Sequence, residues 1–152
     1  MLMNAGSPVS DYDGNLLTPV HYVAFLAQKS AGVDVVKMIN SLYSSGADIN
    51  QTTGRGDSAL GIALVSEEPN LAFLSRLIEL GANVNLPNHD GNTPLHIGAK
   101  YNISQDALLL LLDHGADPKV LNENHKLPID LVNPSLASTK GEAYWRLHDA
   151  RY

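Results

Sequence analysis

Cysteine is absent from this 152-residue sequence, which excludes a disulfide framework, a thiol nucleophile and a thiolate metal site. A chain without cysteine fits a reducing compartment, so we predict a cytoplasmic location. Long hydrophobic runs are also missing: none is longer than Ala107–Leu112, which is far below the roughly 20 residues of a membrane span, so no membrane insertion is expected. Residues 1–10 lack the features of a signal peptide and are predicted to be a flexible N-terminal segment.

Basic residues are scarce and scattered. Ten Lys and Arg stand against sixteen Asp and Glu, which gives a formal net charge of −6. Nucleic-acid phosphates need a basic patch, so no nucleic-acid partner is expected. With 44% hydrophobic and 17% charged residues, the composition is that of a folded protein, and the length is that of one domain of ordinary size.

A repeat of about 34 residues runs through the chain. Three Gly-Ala-Asp/Asn triplets begin at Gly46, Gly81 and Gly115, spaced by 35 and 34 residues. A helix-start signature precedes each triplet, and a degenerate fourth copy follows. In the third copy Thr93 can cap a helix whose first position Pro94 fits. The four signatures are Thr18-Pro19-Val20-His21, Ser58-Ala59-Leu60-Gly61, Thr93-Pro94-Leu95-His96 and Leu127-Pro128-Ile129-Asp130.

These residues resemble the ankyrin repeat, whose T-P-L-H-x-A motif recurs about every 33 residues. The segment Asp90–Ala99 resembles the opening of such a repeat, and Gly115-Ala116-Asp117 resembles its closing turn. The resemblance covers residues 11–132, as about three full repeats and a truncated fourth. In the second copy Ala59 and Gly61 replace the proline and the histidine, which weakens the start of that helix. The resemblance implies an all-α solenoid of stacked helix-turn-helix units with hairpin-like finger loops.

Helical periodicity and turn residues predict where the elements lie. Leu71, Leu74, Leu77 and Ile78 recur at helical spacing, and the polar segments between the helix pairs are rich in Asn and Gly, which suits finger loops. The predicted helices are Thr18–Gln28, Asp34–Ser44, Ser58–Ser66, Asn70–Leu80, Thr93–Tyr101, Ser104–His114 and Pro128–Val132.

Residues 133–152 depart from the repeat. Thr139 and Glu142 have the spacing of a capping box, which predicts a last helix from Lys140 to about Arg151. Either Trp145 and Leu147 cover the end of the stack, or Trp145 is an exposed anchor for a partner or for a further segment of a longer protein.

The sequence offers no catalytic or metal constellation. No two histidines have the i, i+4 spacing of a helical zinc site, and no Gly-x-Ser-x-Gly elbow is present. The resemblance implies that His21 and His96 bond to the backbone of the adjacent finger. Arg55-Gly56-Asp57-Ser58 spells a tetrapeptide that adhesion receptors bind, but Gly56 and Ser58 are the residues that the repeat itself places there. We predict no catalysis, no metal and no cofactor.

The resemblance implies protein–protein recognition through the fingers and the first helix of each pair. Arg and Tyr are the stronger candidates for binding energy. Three interpretations stay open: a free-standing, monomeric adaptor or inhibitor; a targeting or regulatory domain of a larger protein, such as a bacterial effector acting in a host cytoplasm; and an enzyme or ligand binder. The predicted partner-binding residues are Arg55, Asp57, His89, Asp90, Asn92, Lys100, Tyr101, Glu123 and His125.

Overall fold

The computed structural model describes residues 16–29, 34–101, 103–133 and 141–152. The predicted N-terminal segment, residues 1–10, lies outside them, as do residues 11–15 of the predicted array. The described elements are α-helices α1 (Pro19–Lys29), α2 (Val35–Ser44), α3 (Ala59–Ala63), α4 (Leu71–Glu79), α5 (Pro94–Tyr101) and α6 (Gln105–Asp113), a 3-10 helix (Pro128–Leu131) and α7 (Glu142–Asp149).

The helices form a two-row stack, as the repeat predicts. Within each repeat the two helices pack on one another, and equivalent helices of successive repeats pack side by side: α1 on α3 on α5, and α2 on α4 on α6. The core between the rows is continuous through all the repeats, with Ile39, Leu60, Phe73, Leu95 and Leu111 completely or almost completely buried. The all-α ankyrin-type solenoid is confirmed.

Glycine ends the second helix of each repeat. Gly46, Gly81 and Gly115 have φ between +88° and +96°, where a side chain would be strained. At the first of these turns the Ala47 amide donates to the Leu42 carbonyl, and the later turns repeat that bond. The chain then turns outward into a finger.

Two elements predicted from the sequence differ in the structure, one in its end and one in its helix type. Helix α3 ends at Ala63 rather than Ser66: the Leu64 amide donates to the Gly61 carbonyl, the tighter i→i+3 bond, and Pro69 ahead disfavours further helix. In the fourth copy the element is a single 3-10 turn, Pro128–Leu131, rather than an α-helix to Val132, and Val132 is already extended.

The C-terminal helix α7 is confirmed, but its start differs from the prediction. Gly141 is the N-cap residue, so Glu142 lies at the first helical position rather than at the third, as a capping box with Thr139 requires. Thr139 and Lys140 lie outside the described residues. Helix α7 packs on α6 and the 3-10 helix through Ala143 and Leu147.

The two hydrophobic residues predicted to cover the end of the stack behave differently. Leu147 is 1% exposed and does cover it, whereas Trp145 is 46% exposed and packs edge-on against Tyr144 and His148. At the opposite end the first repeat presents an apolar face rather than the polar one expected of a terminal repeat, with a hollow of about 540 Å³. The residues lining it include Tyr22, Leu26 and Met38, all exposed.

Candidate functional site

A groove of about 760 Å³ lies between the fingers and the inner row of helices, α1, α3 and α5. We call it the concave groove. It brings together seven of the nine predicted partner-binding residues, and Glu123 and His125 do not line it. The seven are Arg55, Asp57, His89, Asp90, Asn92, Lys100 and Tyr101.

Each finger is held in shape by the same pair of backbone hydrogen bonds. In the finger that contains Asn88 and Asn92, the Asn88 amide donates to the Asn92 carbonyl, and the Gly91 amide donates back to the Asn88 carbonyl. Gly91 has φ +72° and Gly56 has φ +79° at the equivalent tip. The hairpin-like fingers predicted from the sequence are therefore present.

Neighbouring fingers are hydrogen-bonded to each other, which fixes their spacing. The His89 amide donates to the Arg55 carbonyl, and the Glu123 amide donates to the Asp90 carbonyl, both at 3.0 Å. Close approach is possible because the tips carry glycine: a Cβ on Gly56 would lie 2.7 Å from the His89 ring. The backbone of the groove wall is thus set before any partner arrives.

Two of the predicted contact residues also make side-chain hydrogen bonds to a neighbouring finger. The Asp57 carboxylate accepts from Asn88 Nδ2, and the Asn92 side-chain oxygen accepts from Asn122 Nδ2, both at 2.8 Å. Asp57 also belongs to the adhesion-like tetrapeptide, whose Ser58 is buried and caps α3 by accepting from the Gly61 amide. That tetrapeptide is therefore built into a finger and a helix start.

The helix wall of the groove contains exposed apolar residues that the sequence analysis did not select. Phe25 and Val65 lie seven residues after Thr18 and Ser58, in the same register as Lys100 after Thr93. They are 39% and 38% exposed. Their common register could have identified them from the sequence, because a position that is lysine in one repeat and apolar in two others is not a core position.

The groove carries both cations and carboxylates. Within the described part of the chain, no carboxylate lies within 4.0 Å of the Arg55 guanidinium or the Lys100 ammonium. The Lys100 ammonium lies 5.8 Å from the centre of the Tyr101 ring, which is 41% exposed. Arginine, tyrosine and phenylalanine on a pre-formed surface are the residue types that most often anchor protein interfaces.

His21 and His96 serve the fold, as the resemblance implies. Nδ1 of His96 accepts from the amide and hydroxyl groups of Thr93, so the proton is on Nε2, which donates to the Lys126 carbonyl at 3.0 Å. His21 makes the same bonds to Thr18 and to the Gln51 carbonyl.

Burial lowers the pKa of both histidines, and their backbone hydrogen bonds oppose that effect only in part. Both lowered values therefore have a structural cause rather than a catalytic one. Among the described residues, no three of the His, Asp and Glu side chains are grouped so that they could hold a metal ion. None of the helices described combines the length and the apolar character that a membrane crossing requires.

Comparison with known proteins gives a match to the family described as ankyrin repeats (3 copies), over residues 24–122. Among similar proteins is XBAT35 of Arabidopsis thaliana, whose name describes a candidate E3 ubiquitin-protein ligase. It is 36% identical over 96 residues, 62% of this chain and 20% of that protein.

Two further relatives carry the repeat in other contexts. The BTB/POZ domain and ankyrin repeat-containing protein NBCL of Lotus japonicus is 34% identical over 108 residues, 70% of this chain and 20% of its own length. NF-kappa-B inhibitor zeta of Mus musculus is 33% identical over 104 residues, 64% of this chain and 14% of its own. The chain thus spans a fifth or less of the length of these relatives. The family match covers well over half of the chain, and the chain belongs to the ankyrin-repeat family, a family of protein–protein interaction modules.

Proposed function

We propose that this array recognises a partner protein in the concave groove and does so without catalysis. The observation that supports the proposal is the groove itself, which gathers Arg55, Lys100 and Tyr101 with the exposed side chains of Phe25 and Val65. Most of these side chains combine a large contact area with either a charge or an aromatic ring, as interface hot spots do.

The rigidity of the wall supports the same function. Binding costs less free energy when the surface is already ordered, and the finger-to-finger hydrogen bonds order this one. The packed core likewise holds α1, α3 and α5 in fixed register behind the groove. A partner therefore has to order mainly its own residues and the long side chains of Arg55 and Lys100.

The test uses this chain as bait in cytosolic lysate, beside a variant carrying Arg55→Ala, Lys100→Ala and Tyr101→Ala. We expect a protein that the wild type retains and the triple variant loses, measured by quantitative mass spectrometry. A matched control carries Tyr43→Ala and Lys119→Ala, which remove an exposed ring and an exposed lysine outside the groove. Circular dichroism must show all three proteins folded.

Equal retention by the wild type and the triple variant would overturn the proposal. Loss of the partner from the Tyr43/Lys119 control as well would also count against the concave groove, because that control leaves it intact.

A second proposal is that the array is the targeting or regulatory domain of a longer protein. The observation favouring it is that the relatives are five or more times longer than the matched segment, and NBCL is named for a BTB/POZ domain beside its repeats. A bacterial effector acting in the host cytoplasm is one such setting. An antibody raised against the array tests this in source cells: a band near 16.3 kDa would contradict it, and a much larger band in the cytosolic fraction would support it.

We also propose that the isolated array is monomeric. Light scattering on the purified chain should give a mass near 16.3 kDa, and twice that mass would overturn the proposal.

A further inference from the structure

We infer that the concave groove binds an extended segment of the partner that carries a bulky apolar residue three to five positions away from an acidic residue. The inference rests on the proposed function and specifies its ligand. It follows from an uneven distribution of side chains along one row of the groove: Phe25 and Val65, in the first two repeats, are apolar, and Lys100, in the third, is a cation.

The spacing comes from the repeat itself. Phe25, Val65 and Lys100 occupy one register position in three successive repeats, so they form a row along the groove. Phe25 and Lys100 lie on α1 and α5, and Val65 lies two residues after the end of α3. These helices are packed side by side, α1 on α3 and α3 on α5, and packed helices are about 8–10 Å apart. An extended chain advances about 3.3 Å per residue, so about three residues span one step of the row.

The apolar end of the row is suited to a large hydrophobic side chain. Phe25 and Val65 are exposed, and the buried Ile62 of α3 also lines the groove. An apolar side chain placed here would remove Phe25 and Val65 from water, which is the main favourable contribution to such contacts. A charged side chain in the same place would lose water without gaining a partner.

The other end is suited to a carboxylate. Lys100 is an exposed cation there, and Arg55 is a second exposed cation on the finger that precedes Val65. Neither has a carboxylate within 4.0 Å among the described residues, whereas the Asp57 carboxylate already accepts from Asn88 Nδ2. Asp90 is the groove's other carboxylate and is exposed near a finger tip. An acidic residue of the partner placed at the third repeat thus meets the Lys100 ammonium beside the Tyr101 ring, and Arg55 adds a second positive charge to the groove.

The distance between the two groups of the ligand follows from these positions. A side chain seated between Phe25 and Val65 is one to one and a half repeat steps from Lys100, or roughly 10–15 Å from the interhelical spacing. At about 3.3 Å per residue this separation corresponds to three to five residues.

The test is selection of random 12-residue peptides displayed on phage against the full chain, with counter-selection on the Arg55→Ala/Lys100→Ala variant. Enriched sequences should contain Asp or Glu three to five positions from Leu, Ile, Phe, Tyr or Trp. Fluorescence anisotropy with a selected peptide should show about two- to fivefold weaker binding to Lys100→Ala, since an exposed ion pair is worth little more. Lys119→Ala, outside the groove, should bind like the wild type.

A charge reversal makes the test specific. Lys100→Glu should bind the selected peptide more weakly, and should regain affinity for the same peptide when its acidic residue is changed to Lys. Val65→Lys, at a position that is already exposed, should weaken binding of both peptides because it charges the apolar end. Circular dichroism establishes that each variant is folded.

The outcomes separate this inference from the proposed function. Enriched peptides without an acidic residue would overturn the inference. So would a selected peptide that binds Lys100→Ala and Lys100→Glu as tightly as it binds the wild type. A lysate protein that the groove variants lose, combined with no enriched peptide, would mean a folded partner surface: the proposed function would stand and the inference would fail. Peptides that bind all groove variants equally would overturn both.

Discussion

His125 illustrates how a single residue departs from the repeat. It lies at the finger-tip position that Gly56 and Gly91 occupy, and it has the same left-handed conformation, φ +54°. A residue with a Cβ costs about 1 kcal/mol or more in this conformation. We predict that His125→Gly raises the free energy of unfolding by about 0.5–1 kcal/mol, the gain being reduced because glycine loses more backbone entropy on folding. Urea denaturation measures it.

The matched substitution is Gly91→Ala. A Cβ there would be strained at φ +72° and would lie 2.7 Å from the Glu123 amide nitrogen of the next finger. It should lower the free energy of unfolding by at least about 1–2 kcal/mol. Opposite signs for the two variants are the prediction. A loss of stability in His125→Gly would show that the tip of the last finger is not strained.

The buried histidines make stability depend on pH. Burial lowers the pKa of His21 and His96 below the ordinary 6.5. At a pH between the lowered folded pKa and the unfolded pKa, the unfolded chain binds protons that the folded chain does not. The contribution of these histidines to stability is therefore complete above the unfolded pKa and is lost as the pH falls through it towards the lowered folded values. Each histidine contributes a slope of at most about 1.4 kcal/mol per pH unit.

His96→Gln should reduce that slope by removing one of the two titrating groups. Urea denaturation at pH 7.5, 6.5 and 5.5 measures it, with His89→Gln as the control because His89 is exposed at a finger tip. An unchanged slope in His96→Gln would contradict burial as the cause.

At the level of elements, the stability of the outer helices depends on their caps. The Asn70 side-chain oxygen accepts from the Phe73 amide at 3.0 Å, whereas Ser104, at the same position of α6, makes no capping bond with its side chain. Asn70→Ala should therefore lower the free energy of unfolding by about 0.5–2 kcal/mol. Ser104→Ala should change it by less than about 0.5 kcal/mol. Thermal denaturation of both variants tests the difference, and equal losses would contradict it.

Most elements could be predicted from local sequence because their ends carry local signals. The glycine turns after α2, α4 and α6 and the proline at the start of α5 define those elements within a residue or two. Helix α3 was predicted too long because Leu64 and Val65 continue its apolar pattern. Its early end depends on i→i+3 hydrogen bonds and on Pro69, and neither can be detected from hydrophobic periodicity.

For the molecule as a whole, the position of a residue within the repeat predicted more of the candidate site than its residue type did. Arg55, His89 and Asp90 were found because finger positions recur every 34 or 35 residues. Phe25 and Val65 were missed because each looks like a core residue when its helix is considered alone. Only stacking places the seventh residue after each helix start on the groove, so its exposure is a property of the array and not of one repeat.

In the described part of the chain, the helices of each repeat pack mainly on those of the adjacent repeats, so a loss of packing at one end should destabilise mainly that end. Leu147 on α7 is 1% exposed against α6 and the 3-10 helix. We predict that Leu147→Ala lowers the free energy of unfolding by about 2–4 kcal/mol through the cavity it leaves. Hydrogen exchange should show faster opening of residues 105–133, with little change in α2 and α4, because a solenoid opens from a weakened end.

Trp145→Ala is the control. Trp145 is 46% exposed, so its replacement should leave hydrogen exchange in α6 close to that of the wild type. If Leu147→Ala instead raised exchange uniformly from α2 to α7, the array would unfold as one cooperative unit.

Hydrogen bonds between repeats are the physical reason to measure this. The Asn85 side chain donates to the Gly115 carbonyl and accepts from the Asp117 amide of the next repeat, and Asn50 makes the same pair of bonds one repeat earlier. Exchange confined to residues 105–133 would show that these links between repeats are weaker than the packing within them.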